Sequence, residues 1–290
     1  MQPRFVDVEG IRTRYFEEGQ GDPLVLVHGG QYGSYYNAYT WSLNLKGLSQ
    51  RFHVFALDRL GMGFTDNPPE DRKYTMGATI DHVRSFLSAL GLDNVNLVGH
   101  SRGAFITARL AMDDPSFVRT LVAVDTNTLA PDDASTPKTF YADLERNAPP
   151  VETKGTVQRE PRANSFLKDH ITEDFVDELY RIALLPKTVQ ARQKMQTLVT
   201  TLFLPDLNAK RQQTIQDLKA GALKTPTLIV WGLNDVSAPL KLGLDLFQII
   251  SPRLPQCQFH IFNQAAHYSF REHPTDFNDL ATNFIHLHSK

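Results

Sequence analysis

The chain has 290 residues, 41% hydrophobic and 21% charged, and its 30 basic and 32 acidic side chains leave a formal charge of -2. That balance belongs to an ordinary globular protein and offers no electrostatic footing for nucleic acid or an anionic membrane. Cys257 is the only cysteine, which excludes an internal disulfide and any cysteine-rich metal site and leaves the chemistry to oxygen and nitrogen side chains or a bound cofactor.

The length lies near the upper limit for one hydrophobic core and predicts one main domain carrying a smaller insertion. The opening segment MQPRFVDVEGIRTRYFEEG is charged throughout, and no later stretch approaches the roughly 20 apolar residues of a spanning helix. A cytoplasmic protein without a membrane partner is the expectation.

In chain order, short aliphatic runs predict strands near Phe5–Val8, Arg12–Glu17, Leu24–Val27, Val54–Asp58, Val95–Gly99 and Leu121–Asp125. The runs LVLV, NLVG and TLVAV are almost continuously apolar, as in strands covered on both faces. Between them Thr75–Leu90 places Ile80, Val83, Phe86, Leu87 and Leu90 at helical spacing, and Arg102–Met112 reads as a helix directly after a strand. After Asp125 the rhythm breaks into a Pro-, Thr- and charge-rich stretch, followed by helical patterns at Glu173–Leu184 and around Thr188–Phe203. The strand TLIVWG, a last strand at Gln258–Phe262 and a helix at Pro274–His286 restore the alternation. The result is an α/β chain with a mostly parallel sheet of eight strands, a core of residues 1–129 and 216–290, and a helical lid of 130–215. His286 and His288 read as solvated ends of a frayed helix rather than a metal tract, so no metal is expected.

Gly99-His100-Ser101-Arg102-Gly103 matches G-x-S-x-G, in which a sharp strand-to-helix turn exposes a serine hydroxyl. Three fixed positions match by accident in about one chain in ten of this length, but here an apolar strand leads in and an amphipathic helix leads out, as the motif requires. The glycines admit a turn in which a side chain at either position would clash, with the serine held in strained backbone.

A serine hydroxyl needs a base oriented by a third group, and in this architecture the partners follow in the order Ser, acid, His. His267 lies in a loop of small residues after the last strand. His53, His260 and His273 lie in or beside regular elements, and His100 borders the serine on the wrong side. Asp235 follows the C-terminal end of TLIVWG, where sites on open α/β sheets gather. Asp125, at the end of TLVAVD, is the competing carboxylate, with turn-capping as its alternative role.

LVLV runs into His28-Gly29-Gly30-Gln31-Tyr32-Gly33, at the position of a loop that supplies an oxyanion donor. Gly30 and Gln31 are the candidates there, with the backbone N–H of Arg102 as the second donor. The loop lacks the G-K-[ST] ending of a phosphate cradle and the G-x-G-x-x-G of a dinucleotide site, so no nucleotide cofactor is expected.

Together HGG, DRLGMGFTDNP, GHSRG, WGLND and AAHYSF resemble the α/β-hydrolase superfamily over nearly the whole chain. Within it, HGGQYGS, FLKDHITEDFVDELY and LKTPTLIVWGLNDVSAPLKLGLDLFQII running into HYSFREHPTDFN are similar to the meta-cleavage-product hydrolases. These are cofactor-free enzymes that cleave a carbon–carbon bond in 2-hydroxy-6-oxohexa-2,4-dienoates. The resemblance implies an α/β-hydrolase fold with a helical lid, a Ser101, Asp235, His267 triad, Gly30 and Arg102 as oxyanion donors, and a small-molecule substrate.

The chain departs from that family at three positions beside the triad, with His100, Arg102 and Tyr268 where Asn, Met and Trp are usual. The family's lid arginine has no counterpart at the aligned Leu179. Arg181 and Arg192 are the candidates to replace it, with a solvated surface charge as the plain alternative, and His100 and Tyr268 complete the candidate substrate contacts. A carboxylesterase using the same triad is the competing function, and a non-catalytic binding protein of this fold is disfavoured by the complete triad. The aromatic series Tyr32, Tyr35, Tyr36, Tyr39 and Trp41 reads either as a homo-oligomer interface or as the lining of an active-site entrance.

Overall fold

A computed structural model of the chain describes residues 2–132, 140–146 and 151–288. Its sheet holds β1 (Pro3–Val8), β2 (Ile11–Glu18), β3 (Pro23–Val27), β4 (His53–Leu57), β5 (Val95–His100), β6 (Val118–Val124), β7 (Thr227–Gly232) and β8 (Gln258–Phe262). The spatial order is β1-β2-β4-β3-β5-β6-β7-β8. β2 runs antiparallel to β1 and β4, and the other neighbours are parallel. Each strand expected from the sequence overlaps an observed one.

The near-continuous apolar runs are explained by two cores, one on each face. Val25 and Val27, Leu121 and Ala123, and Ile229 and Trp231 enter one. Their neighbours Leu24 and Leu26, Val122 and Val124, and Leu228 and Val230 enter the other. The two-residue strand period splits each run between the faces, and both faces exclude water.

Helices α1 (Leu45–Leu48), α2 (Met76–Ala89) and α3 (Arg102–Asp113) belong to the first half of the chain. Thr75 starts α2 by accepting the Ala78 N–H at 3.0 Å, a side-chain cap for an orphan donor. Between β6 and β7 lie α4 (Phe140–Arg146), α5 (Lys154–Val157), α6 (Arg159–Ala163), α7 (Glu173–Ala183), α8 (Pro186–Leu198) and α9 (Leu204–Ala220). The chain closes with α10 (Leu240–Ile250), α11 (Ser269–Glu272) and α12 (Pro274–His288).

Two differences from the sequence reading concern the lid. The helix expected around Thr188–Phe203 is α8, opened by Pro186 in its first turn and continued by a π turn over Val199–Phe203. Residue 215 falls inside α9, which runs on to a left-handed stop at Gly221, φ 78°, so the structural break comes after the helix rather than within it. The cap has its own small core around Phe175 and Leu179, with Tyr35, Tyr36 and Tyr39 packed against it.

The chain moves from β3 to β4 on one side and then to β5 on the other. The crevice outside the carboxyl ends of β3 and β5 is therefore the topological switch point, where ligands of open α/β sheets bind. Tyr32 and Trp41 are buried and Tyr35, Tyr36 and Tyr39 half-buried, and the first three tyrosines of the series line a cavity there, in keeping with the lining reading of the series. Among the described residues, no helix is long and apolar enough to cross a membrane.

Candidate active site

β5 ends at His100 and α3 begins at Arg102, which leaves Ser101 as the single turn residue, at φ 55° and ψ -124°. A non-glycine residue there is strained and persists only where its surroundings hold it. Its N–H is held by the Val124 carbonyl at 2.9 Å and its own carbonyl accepts the Ala104 N–H at 3.0 Å. A Cβ on Gly99 would lie 2.4 Å from Thr107 Oγ1 and 2.5 Å from Ala104 N, and one on Gly103 only 2.1 Å from the Val27 carbonyl oxygen. Both glycines are thus required by backbone packing around the turn.

His267 is carried by the loop after β8. Its N–H donates to the Asn164 carbonyl at 3.0 Å, and its Nδ1 donates to Asp235 Oδ2 at 2.7 Å. Asp235 Oδ1 accepts from Ser237 N and Oγ at 2.8 and 3.0 Å and from Ala238 N at 2.7 Å. The carboxylate is pinned at both oxygens. Burial opposes a charge on His267, but the adjacent Asp235 carboxylate outweighs it and raises the imidazole pKa well above the usual value.

The competing Asp125 spends its carboxyl elsewhere. Oδ1 accepts the Gly232 N–H at 2.8 Å, and Oδ2 accepts from Ser269 N and Oγ at 3.2 and 2.6 Å. Burial and then Asp235 push it up to about 8. It splices β7 to the segment after His267, and the hydrogen-bonded partner of the imidazole is Asp235.

The glycine loop is oriented by Arg59, a residue that the sequence reading did not single out. Its Nη2 donates to the carbonyls of Gly29 and Gly30 at 2.6 and 2.7 Å. In a planar trans peptide the C=O and N–H point in opposite directions, so holding the Gly29 carbonyl turns the Gly30 N–H the other way. The Gln31 N–H is spent on Ser34 Oγ at 3.4 Å, which makes Gly30 rather than Gln31 the better donor. The Arg102 N–H opens α3 and has no partner within its own helix.

His28 completes this support: its Nε2 accepts the Arg59 N–H at 3.2 Å and its Nδ1 donates to the Gly29 carbonyl at 2.8 Å. Burial and then Arg59 hold it neutral. Burial, followed by the charge of Arg102, lowers Arg59 to about 9, so it is still a cation at neutral pH.

Ser101, Arg102, His267, Gly30 and Gln31 line one cavity of about 700 Å³ between the sheet end and the cap, within the roughly 300–1,000 Å³ of small-molecule sites. His100, Tyr268 and Arg192 line it too. His100 Nε2 donates to the His267 carbonyl at 2.8 Å, and burial keeps its ring neutral. The Tyr268 hydroxyl donates to Glu160 of α6 at 2.6 Å. Arg192 is neutralised by Glu152 at 2.5 Å.

Arg181 corrects an expectation. It is 63% exposed, paired with Glu178 at 2.9 Å, stacked on Phe64 at 4.6 Å, and it does not line the cavity. The helical turn that buries Leu179 in the cap core carries Arg181 to the outer surface. Neither Arg181 nor Arg192 is left as a free cation in the cavity.

A family model described as the alpha/beta hydrolase fold matches residues 22–274. The 2-hydroxymuconate semialdehyde hydrolase of Pseudomonas sp. (strain CF600) is 27% identical over 97% of this chain and 93% of its own. The proline iminopeptidase of Heyndrickxia coagulans is 24% identical over 97% of each. The crystal structure of a meta-cleavage product hydrolase from Pseudomonas fluorescens IP01 superposes with a TM-score of 0.78 at 22% identity, over 98% of this chain and 97% of that one. With a sheet of this order, an elbow between β5 and α3, and a family model spanning most of its length, the chain belongs to the α/β-hydrolase fold family.

Proposed function

We propose that the chain is a serine hydrolase in which Ser101 is the nucleophile, His267 the base and Asp235 the group that orients the imidazole. The observation that carries this reading is the Asp235–His267 hydrogen bond of 2.7 Å beside a cavity that also holds the strained Ser101. With Nδ1 committed to the carboxylate, Nε2 is left to take the serine proton, and Asp235 stabilises the imidazolium without becoming protonated. The Gly30 and Arg102 N–H groups would receive the developing oxyanion.

The substrate that fits best is a 2-hydroxy-6-oxohexa-2,4-dienoate-type product of aromatic ring cleavage, in line with the names of the hydrolase relatives. The dienol first ketonises. Ser101, or a water activated through His267, then adds to the C6 carbonyl, and the C5–C6 bond breaks with its electron pair leaving on C5, which is protonated. Water releases the acyl group as a carboxylic acid where serine was the attacking group. Supporting this, the cavity lies between cap and switch point and admits a molecule of that size.

Loss of the visible dienolate chromophore on mixing with enzyme tests the reading, with p-nitrophenyl esters run in parallel. Turnover of the dienolates at a kcat/KM above that for the esters is the expected result. Fast ester hydrolysis with inert dienolates would replace the carbon–carbon hydrolase by a carboxylesterase on the same triad, and inactivity on both would remove the enzymatic assignment to these classes.

A further inference from the structure

Among the described residues three arginines are buried, and a fourth, Arg102, is half-buried on the cavity wall; the three buried ones have their acceptors. Arg14 is held by Asp58, Glu178 and Asn37. Arg271 donates to the carbonyls of Thr40 and His170 and to Ser42. Arg59 holds the two glycine carbonyls. Arg102 differs from all of them: among the described residues its side chain has no hydrogen bond and no carboxylate partner. Its Nε, like that of Arg59, is sealed from solvent without an acceptor, but Arg59 spends its Nη2 on two carbonyls and Arg102 spends none of its nitrogens. The Phe203 ring lies 5.6 Å from its Cζ, and an aromatic face accepts none of the directed bonds that a guanidinium's five N–H donors can make.

The surroundings do not neutralise it by other means. Among the described residues the cavity that Arg102 lines contains two carboxylates, Glu152 and Glu160. Glu152 is paired with Arg192, and Glu160 accepts from Tyr268 and Asn164. The charges of Arg59 and Arg211 oppose its own, and the second of these is committed to Asp132 and to the Thr128 carbonyl. An unpaired cation that is half-buried, with its Nε sealed, is costly, and it stands at the position directly after the nucleophile, where the backbone is already over-determined.

We infer that the Arg102 guanidinium is an anion subsite, and that the preferred substrate carries a carboxylate one side-chain length from the carbonyl that Ser101 attacks. The inference rests on the Ser101 assignment and adds to it the residue that reads the charge of the substrate. A carboxylate accepts two parallel N–H bonds from a guanidinium, supplying what the protein withholds. The same residue would then serve twice, its backbone N–H at the oxyanion and its side chain at the substrate's charged end.

Two esters with equal acyl length make the test: p-nitrophenyl hydrogen adipate, which ends in a carboxylate, and p-nitrophenyl hexanoate, which ends in a methyl group. Wild type should prefer the adipate. Arg102→Met should lower the adipate-to-hexanoate ratio of kcat/KM by about 10- to 100-fold, the worth of a hydrogen bond to a charged group, chiefly through KM. Arg102→Lys should recover part of it, and Arg159→Met, removing another cavity-lining arginine, should leave the ratio within threefold.

Calorimetric binding of monomethyl adipate to wild type and to Arg102→Met needs no turnover and separates the subsite from the nucleophile assignment. Weaker binding to the variant supports the subsite even where neither ester reacts. Equal binding, an unchanged ratio, or a ratio lost in Arg159→Met instead, overturns it.

Discussion

The cavity has two walls built on different principles. The sheet-side wall presents Ser101, His267 and the Gly30 loop from the carboxyl ends of strands, and its atoms are fixed by backbone: a strained φ at Ser101, glycines whose Cβ positions fall on neighbouring main chain, and Asp235 held at both oxygens. The cap-side wall is made of short helices tied down by side chains. Glu272 accepts the Phe166 and Leu167 N–H groups at 2.8 and 2.6 Å, Arg271 reaches the His170 carbonyl, and Tyr268 reaches Glu160. All three anchors leave the segment that begins at His267, so one stretch of chain presents His267 and holds the cap over it. A backbone-fixed wall suits bond-making geometry, and a wall held by side-chain contacts suits selection among substrates. Substitutions on the first should therefore fall on kcat, and those on the second on KM and stability.

The largest effect belongs to the sheet side. Ser101→Ala and His267→Ala should each lower kcat by about 10⁴-fold or more, because the triad acts as a unit, with the thermal midpoint and circular dichroism of the wild type retained. Turnover within tenfold of wild type in either variant would break the triad and leave the cavity as a binding site.

Next comes the comparison of the two carboxylates. Asp235→Asn should cost about 10⁴-fold in kcat, whereas Asp125→Asn should cost about 1–3 kcal/mol of stability, for the disturbed pairing at Ser269 and Gly232, with the smaller kinetic loss. A larger loss of kcat from Asp125→Asn would reverse the assignment. The pH profile sharpens the point. Neutral His267 is the form that accepts a proton, and Asp235 raises its pKa, so activity should decline as pH falls through a value above the roughly 6.5 of a free imidazole. In Asp235→Asn burial remains and the opposing charge is gone, so the acid limb of the residual rate should move to lower pH.

The two walls also differ in how far they could be read from sequence. The elbow at Ser101, the pairing of Asp235 with His267 and the strands leading to them were legible because local rules govern them: a glycine-flanked turn, apolar runs of strand length, a carboxylate after a strand. Arg59 was not, because its role comes from two carbonyls nearly thirty residues earlier in the chain, and nothing in DRLGMG announces an inward guanidinium; an arginine amid apolar and glycine neighbours was the only signal. Arg181 misled for the converse reason. A helix of the cap shows which face is apolar, but which of its arginines reaches a cavity depends on how that face docks. α9 was overlooked because it is mostly polar, with Leu207, Thr214 and Leu218 as its buried residues, too sparse a stripe to mark a helix of its length.

The smallest effect tests the cap side. Tyr268→Phe keeps the ring that packs beside His100 and His267 and removes the hydroxyl that donates to Glu160. Glu160 is buried, and burial already raises its pKa; with the donor gone its charged form loses a hydrogen bond and its pKa should rise further. A buried acceptor left without its partner costs about 1–3 kcal/mol, here borne by the junction between cap and base loop. The variant should therefore melt earlier and show KM raised more than kcat is lowered, with the loss smaller at low pH, where a protonated Glu160 no longer carries a charge that needs the donor. A fall in kcat as deep as that of Asp235→Asn, with KM untouched, would mean that the hydroxyl serves the bond-making step and that the division between the two walls does not hold at Tyr268.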